Sequence, residues 1–168
     1  REGEQAVMAS GCASLIFRTS WVYSARGNNF VKTMLRLGRE REALRVVDDQ
    51  IGAPTSAELI ADITSLAVHA YRNDSFPPGL YHLAASGETS WHGFATHILR
   101  RARANGVDLR VDPEAIEPIP TTAFPTPAAR PANSRLSSAA LESALGVRMP
   151  DWRLHADQVV DQLTQPRG

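Results

Sequence analysis

Cysteine and lysine are almost missing from this sequence: Cys12 is the only cysteine and Lys32 the only lysine in 168 residues. A lone thiol cannot close an internal disulfide, which points to a reducing compartment and a cytoplasmic protein. The eighteen positive charges are therefore nearly all arginine, and eighteen carboxylates balance them to a net charge of zero. Such a surface has no general attraction for nucleic acid or an anionic membrane. No apolar run approaches the roughly 20 residues of a membrane helix, and no secretory leader is visible. A glycine-rich turn of the G-x-G-x-x-G kind is absent, as are H-E-x-x-H and any cysteine pair, so neither a dinucleotide turn nor a zinc site is expected. None of Tyr23, Tyr71 and Tyr81 has a lysine four residues on, so a proton-donating Tyr-x-x-x-Lys pair is missing too.

An initiator methionine is also lacking. The chain opens on Arg1-Glu2-Gly3-Glu4-Gln5-Ala6-Val7-Met8, which reads like a helix already under way, and is expected to be a piece of a longer protein. What is present suits a globular domain: 43% apolar and 21% charged residues are ordinary values for one.

Residues 1–10 fit a helix end with Gly11 as its stop. Leu15 to Tyr23 is apolar and aromatic between glycines and reads as one buried strand. Asn28 or Asn29 caps a helix carrying Phe30, Val31, Met34, Leu35 and Leu37. A short strand at Leu44–Val47 leads into a loop from Asp48 to Pro54. Thr55-Ser56-Ala57-Glu58 matches a capping box, with Thr55 as cap. The helix behind it is expected to carry Leu59, Ile60, Ile63, Leu66, Ala67 and Ala70 on one side. Leu80–Ala84 reads as a strand, and Ser90 caps a helix ending before Gly106. Six prolines between Pro113 and Pro131 allow only a short strand near Ile116–Ile119. Ser137 and Asp151 open the last two helices, the final one stopping at Pro166. Strands and helices alternate early and helices dominate late, which predicts an α/β fold of a few strands with several helices. Its strands are too few to form a sheet alone.

Several blocks resemble the dTDP-4-dehydrorhamnose reductases, relatives of the extended short-chain dehydrogenases and NAD-dependent epimerases. They are Phe17-Arg18-Thr19-Ser20-Trp21-Val22-Tyr23, Gly27 to Leu35, Asp49-Gln50-Ile51-Gly52-Ala53-Pro54-Thr55, Gly79 to Leu83 with Ser90-Trp91-His92, Pro125 to Leu136, and Pro150-Asp151-Trp152. The resemblance spans nearly the whole chain. It implies the C-terminal part of a Rossmann-type reductase: residues 1–55 the tail of the Rossmann-type domain interleaved with the substrate domain, and 56–168 mainly substrate-binding domain. The parent protein is then expected to reduce the 4-keto group of dTDP-4-dehydro-L-rhamnose to dTDP-L-rhamnose with NADPH or NADH, for cell-surface polysaccharide such as the lipopolysaccharide O-antigen. The resemblance further implies a dTDP-sugar ligand, a missing N-terminal domain, a homodimer and a magnesium ion at a dimer contact. The chain departs from the family by omission of the glycine turn and the Tyr-x-x-x-Lys pair, so no catalysis is expected of it alone. A non-catalytic regulatory subunit or a sugar-nucleotide-binding remnant of the same fold is the competing expectation.

The candidate substrate-binding residues each carry two readings. Trp21 and Tyr23 lie where a strand runs into a loop, the usual place for ligand contacts in open α/β sheets, or else they are core aromatics. Asn28 and Asn29 precede a helix N-terminus that favours a phosphate, and either also serves as a plain cap. Arg130 and Arg135 flank Pro131, Asn133 and Ser134, and a guanidinium suits a diphosphate; a structural ion pair is the alternative. Gln50 to Thr55 is a loop held by Gly52 and Pro54. Glu58 with Asp62, one turn apart, is a weak candidate for the metal. The histidines, His92 and His97 among them, are read as packing or surface residues.

Overall fold

The computed structural model describes residues 1–124 and 130–165. The opening segment folds as α1 (Glu2–Ala9), with no buried residue, and Gly11 follows at φ 73°. Its tie to the rest is a two-pronged bond from Arg18 to Glu4, with Nε–Oε1 2.8 Å and Nη2–Oε2 2.6 Å.

The expected single strand over 15–23 is two. β1 (Leu15–Arg18) stops, the backbone turns through Trp21 at φ 51°, and β2 (Val22–Tyr23) resumes. α2 (Phe30–Glu40) begins at its cap Asn29, and β3 (Arg45–Val47) follows. The loop expected at 48–54 contains a further short strand, β4 (Ile51–Gly52), and β5 (Thr55–Ser56) leads directly into α3 (Ala57–Arg72).

The capping box is corrected at this junction. Ser56, not Thr55, caps α3, its oxygen accepting from the Leu59 amide at 3.0 Å. Thr55 is fully buried: its hydroxyl donates to the Ala53 carbonyl and accepts from the Ala85 amide, holding the chain below to the helix start. Leu66 is the other correction. Leu59, Ile63 and Ala67 are buried on α3, whereas Leu66 is 38% exposed, one step around the helix from that stripe.

Next come β6 (Gly79–His82), β7 (Thr89–Ser90) and α4 (Trp91–Ala104), the last capped by Ser90. β8 (Glu117–Ile119) is the short strand expected amid the prolines, and a 3-10 turn over Thr121–Ala123 follows it. α5 (Ala139–Leu145) starts one residue later than expected, after Ser138, and ends at Gly146 in the left-handed region. α6 (Trp152–Thr164) is capped by Asp151. Pro125–Ala129 of the proline-rich block, and Pro166, lie outside the described residues.

The α/β expectation holds, in the form of four short two-stranded pairs. β1–β6, β2–β5 and β3–β8 are parallel, and β4–β7 is antiparallel. β1, β3 and β4 each pair with a strand well downstream, whereas β2 and β5 pair within residues 22–56. α4 is the hub of the core. It buries Phe94, Ile98, Leu99 and Ala102 and packs against α2 and α6. Close approach of α2 depends on Gly38, where a Cβ would sit 2.8 Å from Leu99 Cδ2. On the α6 side Arg101 grips Asp161 with two 2.6 Å bonds, and Asn105 adds a third at 2.7 Å. Among the described residues no helix is long and apolar enough to cross a membrane.

Candidate functional site

The break between β1 and β2 brings a large flat side chain to the surface. A non-glycine residue at positive φ is held there against a cost of about 1 kcal/mol or more, and such residues gather at ligand sites. Trp21 is such a residue, and its indole is half-buried against Trp91 with ring centroids 3.8 Å apart and planes 13° from parallel. On the other strand beneath it lies Gly52, where a Cβ would come within 2.7 Å of Trp21 Cε2; only a residue without a side chain fits. The Trp21 carbonyl accepts from the Thr55 amide at 3.3 Å, so the strained turn is pinned from below.

Trp91 is the centre of this arrangement. It sits on the first turn of α4, placed by the Ser90 cap, whose hydroxyl meets both the Gly93 amide at 2.9 Å and Asp48 at 2.5 Å. Phe30, at the start of α2, packs against Trp91 with centroids 4.7 Å apart. Gln50 accepts from the Trp91 indole nitrogen at 3.1 Å. The chain beyond the prolines docks here as well: the Ile51 amide donates to Ala132 O, and the Ser134 amide donates to Ile51 O, both at 2.8 Å. Trp21, the α2 N-terminus, the Gln50–Gly52 segment and the Asn133 loop thus converge on one aromatic shelf.

The predicted residues fare differently there. Tyr23 takes the second of its two readings. Its ring is 2% exposed in the core beside Phe94, because side chains alternate along β2 and Val22 points out. Its hydroxyl has no hydrogen-bond partner among the described residues. Burial pushes the phenol pKa well above its usual range, and the Glu58 and Asp157 carboxylates push it the same way. Asn29 is committed to the backbone, its Oδ1 accepting from Lys32 N at 3.3 Å and its Nδ2 donating to Ser24 O at 2.7 Å. Asn28 is exposed beside it. Arg135 donates to Glu88 at 2.9 Å and to Asn133 Oδ1 at 3.1 Å, so its charge has a carboxylate partner, and Arg130 is exposed.

Glu58 lies elsewhere, in a cleft of about 340 Å³ between α3 and α6 with His155, Gln158, Val159 and Gln162. The magnesium expectation finds no support: among the described residues no group of three or more carboxylate, histidine or cysteine side chains could hold a metal ion. His92 and His97 have structural partners, Ile116 O at 2.9 Å and Asp157 at 2.8 Å. Among the described residues nothing marks a pyrophosphate-binding turn for a nicotinamide dinucleotide. The N-termini of α2, α3, α4 and α6 are occupied by their own caps, Asn29, Ser56, Ser90 and Asp151, and no glycine-rich turn opens any helix.

Short parallel strands whose ends open beside a half-buried aromatic shelf define an α/β unit of the Rossmann class, in which ligands meet the carboxyl ends of the strands. The sequence pattern of the family described as RmlD substrate binding domain matches residues 1–165, and the chain belongs to that family. The dTDP-4-dehydrorhamnose reductases of Shigella flexneri and of Escherichia coli (strain K12) are each 46% identical to it over 161 residues, taking in 96% of this chain and 53% of the relative. The solved structure of a dTDP-4-dehydrorhamnose reductase from Bacillus anthracis, in complex with NADP, superposes with a TM-score of 0.83 at 35% identity over 95% of this chain and 52% of that one. The chain spans about half the length of the curated relatives it matches.

Proposed function

We propose that this chain is the sugar-nucleotide-binding part of a dTDP-4-dehydrorhamnose reductase, the parent protein reducing the 4-keto group of dTDP-4-dehydro-L-rhamnose to give dTDP-L-rhamnose. The observation that carries the reading is Trp21, held at positive φ and stacked on Trp91 with part of its surface open. The part of the indole left open beside Trp91 and Gly52 suits apolar contact with a thymine ring or a deoxysugar. Asn28 at the mouth of α2, and Arg130 and Arg135 at the edge of the docked loop, then supply polar contacts to the diphosphate, Arg135 at the expense of its bond to Glu88.

A nicotinamide cofactor, named with the Bacillus anthracis relative, supplies hydride in such a reduction. Residues outside this chain hold it and deliver the proton, so the chain by itself binds without catalysing. In this reading residues 1–55 extend a Rossmann-type sheet, residues 56–168 mainly form the substrate side, and the missing N-terminal domain completes the cleft. The parent is assigned to the cytoplasm, as a homodimer, feeding cell-surface polysaccharide such as O-antigen.

Calorimetric titration with dTDP-L-rhamnose, with UDP-glucose as control, tests the assignment in this chain and in a full-length protein that contains it. Saturable binding of the thymidine compound, lost on Trp21→Ala, is the expected result. A full-length protein that binds neither compound would point to the regulatory role instead.

A further inference from the structure

Four consecutive residues, Asp49 to Gly52, each hold a different piece of the shelf. The Asp49 carboxylate accepts from the Thr121 amide at 2.9 and 3.0 Å and from the Thr121 hydroxyl at 2.5 Å. Ile51 carries the Ala132–Ser134 loop on its backbone, and Gly52 leaves room for the Trp21 ring. Between them, Gln50 is only 7% exposed, a polar side chain inside the fold with both ends of its amide engaged. Oε1 accepts from Trp91 Nε1 at 3.1 Å, and Nε2 donates to Thr121 Oγ1 at 3.0 Å.

We infer that Gln50 is a positioning residue for the Trp21 shelf, acting through Trp91. An indole has one hydrogen-bonding group, its N–H, and no acceptor. Anchoring that group fixes the rotation of the Trp91 ring about its side-chain torsions. Trp21 lies face to face with that ring and is strained at its own backbone, so it takes its plane from Trp91. Thr121 ties the other end of the amide to the 3-10 turn over Thr121–Ala123. Gln50 therefore sets the shelf in register with the Thr121 turn, without itself lying on the shelf. That the shelf carries a ligand rests on the function proposed above; that Gln50 sets its geometry does not.

The two claims separate by experiment. Trp21 and Trp91 are the stacked pair of indoles, while Trp152 packs edge-on to Phe94, so an exciton couplet in far-ultraviolet circular dichroism reports the pair. Trp21→Phe and Trp91→Phe, each expected to abolish it, establish the assignment. Gln50→Met keeps the bulk and removes the acceptor, and Gln50→Glu keeps an acceptor for the indole. The expected result is loss of the couplet in Gln50→Met and its retention in Gln50→Glu. Affinity for dTDP-L-rhamnose in the full-length protein is expected to fall roughly five- to tenfold in Gln50→Met and to recover in Gln50→Glu. A folded Gln50→Met protein with an unchanged couplet overturns the inference. Should that variant not fold, the Trp91 indole proton resonance decides: the charged acceptor of Gln50→Glu moves it downfield, and an unmoved resonance is equally fatal. If Trp21→Ala binds the sugar nucleotide as tightly as the unsubstituted protein, the functional reading fails while the couplet still judges Gln50.

Discussion

The Trp21 and Trp91 rings lie 3.8 Å apart and 13° from parallel, although one follows a strand and the other opens a helix. Aromatic stacking and area burial each contribute on the order of 1 kcal/mol here. Because Trp21 is partly open to solvent, Trp21→Ala is expected to leave the fold intact and to weaken dTDP-L-rhamnose binding about tenfold or more in the full-length protein. Titration calorimetry alongside a thermal melt checks both halves of that statement.

Gly52→Ala tests the same contact from the opposite side. Its new methyl meets the Trp21 ring at 2.7 Å, and that ring is backed by Trp91, so it has little room to retreat. A destabilisation of roughly 1–3 kcal/mol is expected from the overpacking, read from the urea midpoint. A neutral substitution would show that the shelf is looser than the geometry implies.

Tyr23 leads to a prediction in the opposite direction. Its hydroxyl is buried without a partner among the described residues, and an unsatisfied buried polar group costs on the order of 1–3 kcal/mol. Tyr23→Phe keeps the ring packing on Phe94 and removes that cost. Stability is expected to rise by about 1 kcal/mol, or roughly 2–4 °C in Tm. A fall instead would reveal a hydrogen bond for the hydroxyl in solution.

The start of α3 separates two caps that look alike in sequence. Ser56→Ala is expected to cost about 1 kcal/mol, because the Leu59 amide loses its acceptor. Glu58→Ala makes no comparable change, since the side chain closes no capping box, and its effect stays within about 0.5 kcal/mol. Equal losses in the two variants would restore the box. Chemical denaturation of both gives the comparison.

Acid should loosen the segment that carries Gln50. Hydrogen bonds from the Thr121 hydroxyl and then its amide hold the Asp49 carboxyl below its ordinary value of 3.8. A carboxyl whose folded pKa is depressed adds stability above its unfolded value, and that stability is lost as pH falls from near 3.8 through the lower folded value. Asp161, held down by Arg101 and Asn105, titrates with the same sign. Asp49→Asn should therefore be less stable at neutral pH yet lose less stability on acidification. Melting temperatures measured from neutral pH down to below 3.8 follow this directly.

Much of the chain was legible because local rules and tertiary packing agreed. Asn29, Ser90 and Asp151 cap their helices as their side chains suggest, and Gly146 ends α5 in the left-handed conformation for which glycine is suited. Errors arose where two neighbours were chemically equivalent. Thr55 and Ser56 are both good caps, and only the demand of the Ala85 amide for a buried partner drew Thr55 away. The strand break at Trp21 left no mark either, since a tryptophan in an apolar run is a strong reason to continue a strand. Trp91 and Gln50 were visible as parts of family blocks, but nothing local assigned them to the same site.

The sequence by itself determined the α/β class, the order of its elements, the family resemblance and the absence of a catalytic Tyr-x-x-x-Lys pair. Those depend on periodicity, caps and residue identities, which are carried locally along the chain. Only the tertiary structure decided that Trp21 faces outward onto Trp91 while Tyr23, two residues later, is sealed in the core. It also decided that Gln50 spans from α4 to the 3-10 turn over Thr121–Ala123. Such facts rest on contacts between residues tens of positions apart. Their partners are chosen by packing around α4, where space and unsatisfied hydrogen bonds, rather than neighbouring sequence, select what fits.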